Sequence, residues 1–410
     1  MKKIILSSIA LFAVAMTQAQ VSETLSTGNG YTNSSFYSLD NGEVSNVSNE
    51  DWELAFSTSQ FSSYIRINGG KGVELYSYPD GDTSNWATVD ITNVANWTKL
   101  YNSEEEWDNG AFNRSSTGHP NYGWGNYNNI THAVAGDSLF IIKTLNGDYK
   151  KLWIQSIDAG TWNFKYANID GTSMSSESIA SSNYSDKNFF YYSLDNSVVV
   201  DREPATGTWD FVVTKYQAAQ PQGGYYPSTG VLLNKGLKAR EARGVDVNTA
   251  LWGDYTEEEK INVLGADWKS YNMTDHIYDI ESDLSYFITD RAENIWRIIF
   301  TGFDGPTAGG NVHFTKELIS AVSIDENKSI NLGIYPNPAS SQVTLLYDNL
   351  TSAQATIRIV DINGRMIYSE QFMGTNFNQQ VLDVSNFSKG FYSVIIESND
   401  RVGTQKLIIE

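Results

Sequence analysis

The 410-residue sequence contains no cysteine. That excludes structural disulfides, thiolate metal centres, cysteine nucleophiles and a lipoprotein anchor, which needs a cysteine at its cleavage point. Charge is also sparse, at 19% of residues, and basic charge sparser still: 28 Lys and Arg face 48 Asp and Glu. The resulting net charge of −20 is spread along the chain. A field of that sign repels nucleic acid and anionic lipid and favours solubility. Beyond the first residues no apolar run is long enough for a membrane-spanning helix, so no transmembrane segment is expected. No Gly-x-Ser-x-Gly, His-Glu-x-x-His or phosphate-binding loop is present, so no enzyme class is indicated. A carboxylate pair for glycoside hydrolysis can be picked from any set of 48 acids and carries no weight.

What is present points outside the cell. Lys2 and Lys3 precede an apolar stretch from Ile4 to Met16, and Thr17-Gln18-Ala19 ends in a small residue. This is the pattern of a signal peptide over residues 1–19. With 24 Tyr and 32 Gly, the composition is that of a β-rich extracellular protein. Alternating segments such as Trp52 to Phe56, Tyr64 to Ile67 and Trp162 to Tyr166 read as strands, and Asn146-Gly147 as a hairpin turn. Thr256 to Val263 is among the few stretches with helical character.

The chain repeats itself. Phe36-Tyr37-Ser38-Leu39-Asp40-Asn41 returns as Tyr191-Tyr192-Ser193-Leu194-Asp195-Asn196. Trp52 returns as Trp209, Asn68-Gly69-Gly70 as Asn234-Lys235-Gly236, and Trp124 as Trp268, with His132 and His276 in step behind. Two related antiparallel β units are therefore expected, at about 30–180 and 185–320. A polar linker at 321–330 precedes a last domain at 331–410. The fold class is all-β: two β units in tandem, then a small immunoglobulin-like β-sandwich.

The last domain carries Ile334-Tyr335-Pro336-Asn337-Pro338, Asp361-Ile362-Asn363-Gly364-Arg365, Gly390-Phe391-Tyr392 and Lys406 to Glu410. In order and spacing these resemble the C-terminal sorting domain of type IX secretion cargo. The resemblance implies export across an outer membrane by that machinery. It implies further that the domain is usually removed after export, with the body attached to surface lipopolysaccharide or released.

The body, with its Trp-led strands and Asn-Gly turns, is similar to the HmuY family of secreted heme-binding proteins. That resemblance implies a non-enzymatic protein capturing heme for iron acquisition, through axial His or Met ligands between aromatic walls. One ligand position of the family falls on Met273 in the second unit and on Asn129, no heme ligand, in the first. No His or Met lies between Tyr216 and Asn272 to supply the other. Candidate heme contacts are thus Met273, as iron ligand, with His276, His119 and His132. The matching positions of His132 and His276 equally suit a structural hydrogen bond, and His313 reads as structural. A competing function is a surface adhesin or carbohydrate-binding protein. It would use aromatics in Asn/Gly/Ser-rich segments: Trp86, Trp97, Trp107, Tyr122, Trp124, Tyr225, Tyr226 and Trp252.

Overall fold

The computed structural model describes residues 20–59, 62–320, 330, 332–348, 354–362, 364–373, 377–398 and 401–410. The signal peptide and nearly all of the linker therefore lie outside the described residues. The chain divides into two compact units, Met1–Ala321 and Val322–Glu410.

In the first unit the first repeat supplies β1 (Val21–Ser26), β2 (Asn33–Ser38), β3 (Gly42–Ser48), β4 (Leu54–Ser57), β5 (Ile65–Ile67), β6 (Glu74–Ser77), β7 (Gly125–Tyr127), β8 (Val134–Gly136), β9 (Phe140–Lys143), β10 (Tyr149–Asp158) and β11 (Thr161–Asn168). The second, which in the structure begins earlier than the 185 expected from sequence, supplies β12 (Ser175–Ala180), β13 (Phe189–Ser193), β14 (Val198–Val200), β15 (Phe211–Ala219), β16 (Tyr225–Leu233), β17 (Lys238–Arg243), β18 (Lys269–Asn272), β19 (Ile277–Ile280), β20 (Leu284–Thr289), β21 (Ile295–Phe303) and β22 (Asn311–Ser320). All strand pairs are antiparallel, and only short 3-10 turns interrupt them among the described residues.

The repeats are units of sequence, and the packing is cut differently. One sandwich faces sheet β14-β13-β4-β5 with the sheet built on β12-β11-β10, β9 and β6. The other faces β16-β15-β2-β3 with β1-β22-β21-β20-β17. The first three strands of each repeat are therefore built into the sandwich formed by the rest of the other repeat. Alternation explains the cores. Trp162, Phe164 and Tyr166 of β11 point inward against Phe56, Phe190 and Tyr192. Val312 and Phe314 of β22 meet Tyr37, Phe211 and Val213. Each such side chain contributes about 1.5–3 kcal/mol through burial.

The exchange is fixed by matched polar contacts. Glu53 accepts the backbone N–H of Leu194 at 2.6 Å, and Asp210 accepts that of Leu39 at 2.7 Å. These leucines belong to the repeated Ser-Leu-Asp-Asn turns, whose Asn41 and Asn196 N–H groups each donate to Ser38 and Ser193 Oγ at 3.2 Å. Asn68 and Asn234 donate from Nδ2 to the carbonyls of Trp52 and Trp209. Lys151 and Arg297, at matching positions, each donate to backbone carbonyls of neighbouring loops.

Between the sandwiches lies a cavity of about 80 Å³ lined by Trp52, Trp107, Trp209, Arg66, Arg202 and Glu203 among others. Trp107 packs on both sides and donates from Nε1 to the Leu233 carbonyl. Arg202 lies over Trp52 and Tyr191 and donates to the Ser48 carbonyl. Glu203 accepts from the Asn188 N–H and the Tyr191 hydroxyl, both at 2.8 Å.

Thr256 to Val263 is not helical. Glu258 pairs its backbone with Ala239 in both directions, and the Ile261 carbonyl takes the Leu233 N–H. Glu257 bridges to Arg240 at 3.0 Å. Sheet-edge hydrogen bonds outweigh the helix preference of the Glu-Glu-Glu-Lys run.

The second unit has sheets β23-β24-β27 and β26-β25-β28-β29, from β23 (Leu332–Tyr335), β24 (Gln342–Asp348), β25 (Gln354–Asp361), β26 (Met366–Met373), β27 (Phe377–Asp383), β28 (Gly390–Ser398) and β29 (Arg401–Ile409). Val343, Leu345, Ile357, Ile359, Val394 and Ile396 fill its core. Asn337 of the Pro-Asn-Pro motif ties the first motif to the last. Its Nδ2 donates to the Lys406 carbonyl at 2.7 Å and its Oδ1 accepts the Ile408 N–H at 2.9 Å. Asp361 accepts the Arg365 N–H across the turn at Gly364, whose φ is +77°.

Burial pushes the carboxyl of Glu203 up to about 7, and burial with Asp195 nearby does the same for Glu53. Both ordinarily titrate near 4.5. Between these values the native chain holds protons that the unfolded chain releases. Their contribution to stability is therefore fully present at and below the lower value and is lost as pH rises to the upper one, by up to about 3 kcal/mol per group. Thermal melts at about pH 5 and about pH 7.5 should show the fall. Glu203→Gln can keep both contacts, with its oxygen facing Asn188 and its amide facing Tyr191, and should remove roughly half the pH dependence. A flat wild-type profile, or an unchanged slope in the variant, would contradict this origin of the pH dependence.

Candidate functional site

A large concavity belongs to the second sandwich. It has a volume of about 880 Å³. Its walls come from the turn after β1 (Tyr31), from β15 (Lys215) and from β16 (Tyr226 to Thr229). The β18–β19 hairpin adds Lys269, Tyr271, His276 and Tyr278, and the segment after β21 adds Phe303 to Thr307. The aromatic floor is a connected set. Tyr31 stacks on Phe303 at 5.8 Å, Tyr278 meets Phe303 edge-on at 4.7 Å, and Tyr271 lies 5.1 Å from Tyr278. The Tyr31 and Tyr278 hydroxyls are 3.4 Å apart. Burial, then this contact, pushes the Tyr31 phenol well above its usual range. Tyr226 and Tyr271 remain 63% and 46% exposed, so their rings are available to a ligand.

Two lysines face this floor. Lys269 lies over the rings of Trp268 and Phe303, at 4.0 and 4.7 Å, and donates to the Thr229 carbonyl. Burial pushes its ammonium down to about 7. Lys215 lies 5.5 Å from the Tyr31 ring, and its pKa is lowered by burial and by Lys71 nearby. Such a surface can stack on a flat ring and contact anionic groups on its rim.

The four residues expected from sequence as heme contacts are not brought together. Only His276 lines the cleft. Met273 sits at the tip of the β18–β19 hairpin, 75% exposed and outside the cleft lining. His119 and His132 lie on the first sandwich, flanking Tyr127 with ring centres 5.2 and 6.2 Å away.

A turn motif accounts for the matched histidines. His132 and His276 occupy the left-handed region, at φ +57° and +56°. Each donates its backbone N–H to an asparagine carbonyl, Asn128 or Asn272. Each places Nδ1 by a tyrosine hydroxyl, Tyr127 at 2.7 Å and Tyr271 at 3.3 Å. The side-chain oxygens of Asn128 and Asn272 each accept two turn N–H groups. His313 has both ring nitrogens engaged, with Thr24 and Asp304.

The aromatics singled out from sequence mostly pack. Trp124 is fully buried, Trp97 meets Tyr76 and Tyr78, and Tyr225 stacks on Tyr101 at 4.1 Å. Trp86 lies under Lys151 and Lys165, Trp252 under Arg240, and Tyr122 packs against the first core. Tyr226 alone among them lines the cleft. Sequence reasoning missed Tyr31, Lys215, Lys269, Tyr271, Tyr278 and Phe303. One signal was available: Trp268 is followed by Lys269 where the first repeat has Trp124-Gly125.

Residues 333–410 match the family described as the secretion system C-terminal sorting domain. The C-terminal unit is thus a type IX secretion sorting domain, and the protein is exported to the cell surface or extracellular space. The chain is also similar to the ulvan lyase NLR42 of Nonlabens ulvanivorans, 26% identical over 91 residues, which cover 22% of this chain and 16% of that protein. Among solved structures it is similar to dimeric latent PorU from Porphyromonas gingivalis, at 10% identity and a TM-score of 0.18, covering 95% of this chain and 34% of that one. That score supports no argument about fold or function. None of these three matches places the body in the HmuY family.

The positive φ at His132 sets what can replace it. Glycine or asparagine there should cost little, because both tolerate this conformation. Valine should cost about 1 kcal/mol or more, because a β-branched residue there is strained. Urea melts of His132→Gly, His132→Asn and His132→Val test this, and equal stability of all three would refute it.

Proposed function

We propose that this protein is a secreted, surface-displayed carbohydrate-binding protein, without enzymatic activity, that takes saccharides in the aromatic cleft of its second sandwich. The observation that carries this reading is the cleft itself: about 880 Å³, floored by a connected set of tyrosine and phenylalanine rings. The C–H faces of sugar rings stack on such rings, and phenol hydroxyls supply hydrogen bonds to sugar hydroxyls. Export to the cell exterior places the cleft where polysaccharide is met. In this reading the sorting domain is removed after export, and the body attaches to surface lipopolysaccharide or is released.

Heme capture is a second reading, and one observation favours it. His276 is on the cleft wall with Nδ1 beside Tyr271, which leaves Nε2 for an axial bond. The residues supply this site with one imidazole: Met273, His119 and His132 are not among the cleft's lining.

One set of titrations separates the two. Oligosaccharides should bind saturably by calorimetric titration. Tyr271→Ala and Tyr226→Ala should each weaken binding by roughly tenfold, as loss of a stacking ring does. Hemin should give no sharp Soret band. A saturable Soret band that His276→Ala abolishes and Met273→Ala preserves would overturn the carbohydrate reading in favour of heme.

A further inference from the structure

Resting on the carbohydrate reading, we propose that the cleft selects anionic saccharides, uronates or sugar sulfates, through Lys215 and Lys269. The chain carries a net charge of −20, so its general field repels anions. Cations left without a carboxylate in such a chain need a local reason. Several lysines elsewhere are neutralised, Lys71 by Glu50, Lys99 by Glu74, Lys235 by Asp108 and Lys316 by Glu23, while Lys151 and Lys165, without an ion pair among the described residues, lie over Trp86 and away from the cleft. Among the described residues neither Lys215 nor Lys269 forms an ion pair, and both line the cleft.

The acids nearby are already engaged. Asp267, next in sequence but one to Lys269, pairs with Arg243 at 2.5 Å. Asp304, the acid on the cleft wall, is kept ionised by Asn311 at 2.7 Å and His313 at 3.0 Å, which hold its pKa below the usual range, and it pairs with neither lysine. Glu50, which favours the charged form of Lys215, is bridged to Lys71. The other titratable groups facing the cleft are His276 and the phenols of Tyr31, Tyr226, Tyr271 and Tyr278. None brings a negative charge to the lysines in the way a carboxylate would.

The fold does not require these cations. In the repeat register of Trp52 with Trp209, Thr58 takes the place of Lys215. In the register of Trp124 with Trp268, Gly125 takes the place of Lys269. There a side chain is excluded, because a Cβ on Gly125 would lie 2.4 Å from the Ala135 carbonyl oxygen. The first sandwich forms without either lysine, so the scaffold common to the two repeats does not call for them.

Lys269 supplies a signature beyond affinity. Burial holds its ammonium near about 7, with only Asp267 opposing. An anion seated against it restores the charged form, so binding in mildly alkaline solution takes up a proton.

Calorimetric titration of the full chain tests the proposal with oligogalacturonate, dextran sulfate and neutral cello-oligosaccharide. At about pH 8 and low salt, one or both anionic probes should bind at least roughly tenfold more tightly than the neutral one, the worth of a charge-assisted hydrogen bond. Which anion binds identifies carboxylate or sulfate as the recognised group. Lys215→Met and Lys269→Met, each checked for folding by circular dichroism, should lose the preference. The difference in heat between phosphate and Tris buffers should report proton uptake in the wild type and in Lys215→Met, and none in Lys269→Met. Equal binding of neutral and anionic probes would overturn the charge selection while leaving the carbohydrate reading intact. Anion preference that survives both substitutions would also overturn it. Binding of no saccharide at all would remove the carbohydrate reading itself.

Discussion

Two buried carboxylates hold the architecture of the larger unit. Glu53 and Asp210 stand at matching positions one residue after Trp52 and Trp209, and each accepts a leucine N–H from the exchanged turn of the other repeat. A buried N–H without an acceptor costs about 1–3 kcal/mol, so these contacts specify which turn docks where. Burial raises the pKa of both acids, which is the cost of placing an anion beside an apolar core. With the turns docked, β2 completes the sheet of β15, and β13 completes the sheet of β4. Two sandwiches result, and neither can be built from one repeat alone.

The candidate site depends on that exchange. Tyr31 follows β1, which pairs with β22 far along the chain, and this pairing carries Tyr31 to Phe303 and Tyr278. The cleft therefore combines the beginning of the first repeat with the end of the second. In the first sandwich the corresponding hairpin presents Tyr127 and His132 but has Gly125 in place of a lysine. The repeats share a scaffold and differ in surface chemistry. That pattern suits a protein in which one sandwich meets a ligand and the other serves mainly to complete the fold.

The matched histidines show how a repeated motif can report geometry. A residue kept in register across two repeats draws attention as a ligand. Here the shared feature is a left-handed turn position, an asparagine oxygen gathering turn N–H groups and a tyrosine hydroxyl beside the ring. Met273, the ligand position that the family resemblance supplied, is a solvent-facing turn residue. The histidine that retains a claim on function does so because of where the hairpin stands, on the wall of the cleft.

The sequence by itself determined the all-β class, because two-residue alternation with Asn-Gly punctuation leaves strands as the way to bury one face. It determined the sorting domain, since motifs such as Pro336-Asn337-Pro338 and Asp361 to Arg365 encode local contacts that close turns and join the first strand to the last. It also showed the repeat, for matching residues make matching hydrogen bonds. Only the tertiary structure decided which strands share a sandwich, because either pairing of the repeated turns satisfies the same local pattern. It alone assembled the cleft, whose rings and lysines come from segments that no spacing relates. It also separated packing aromatics from exposed ones: Trp124 and Tyr226 both lie in polar-rich segments, and burial alone tells them apart.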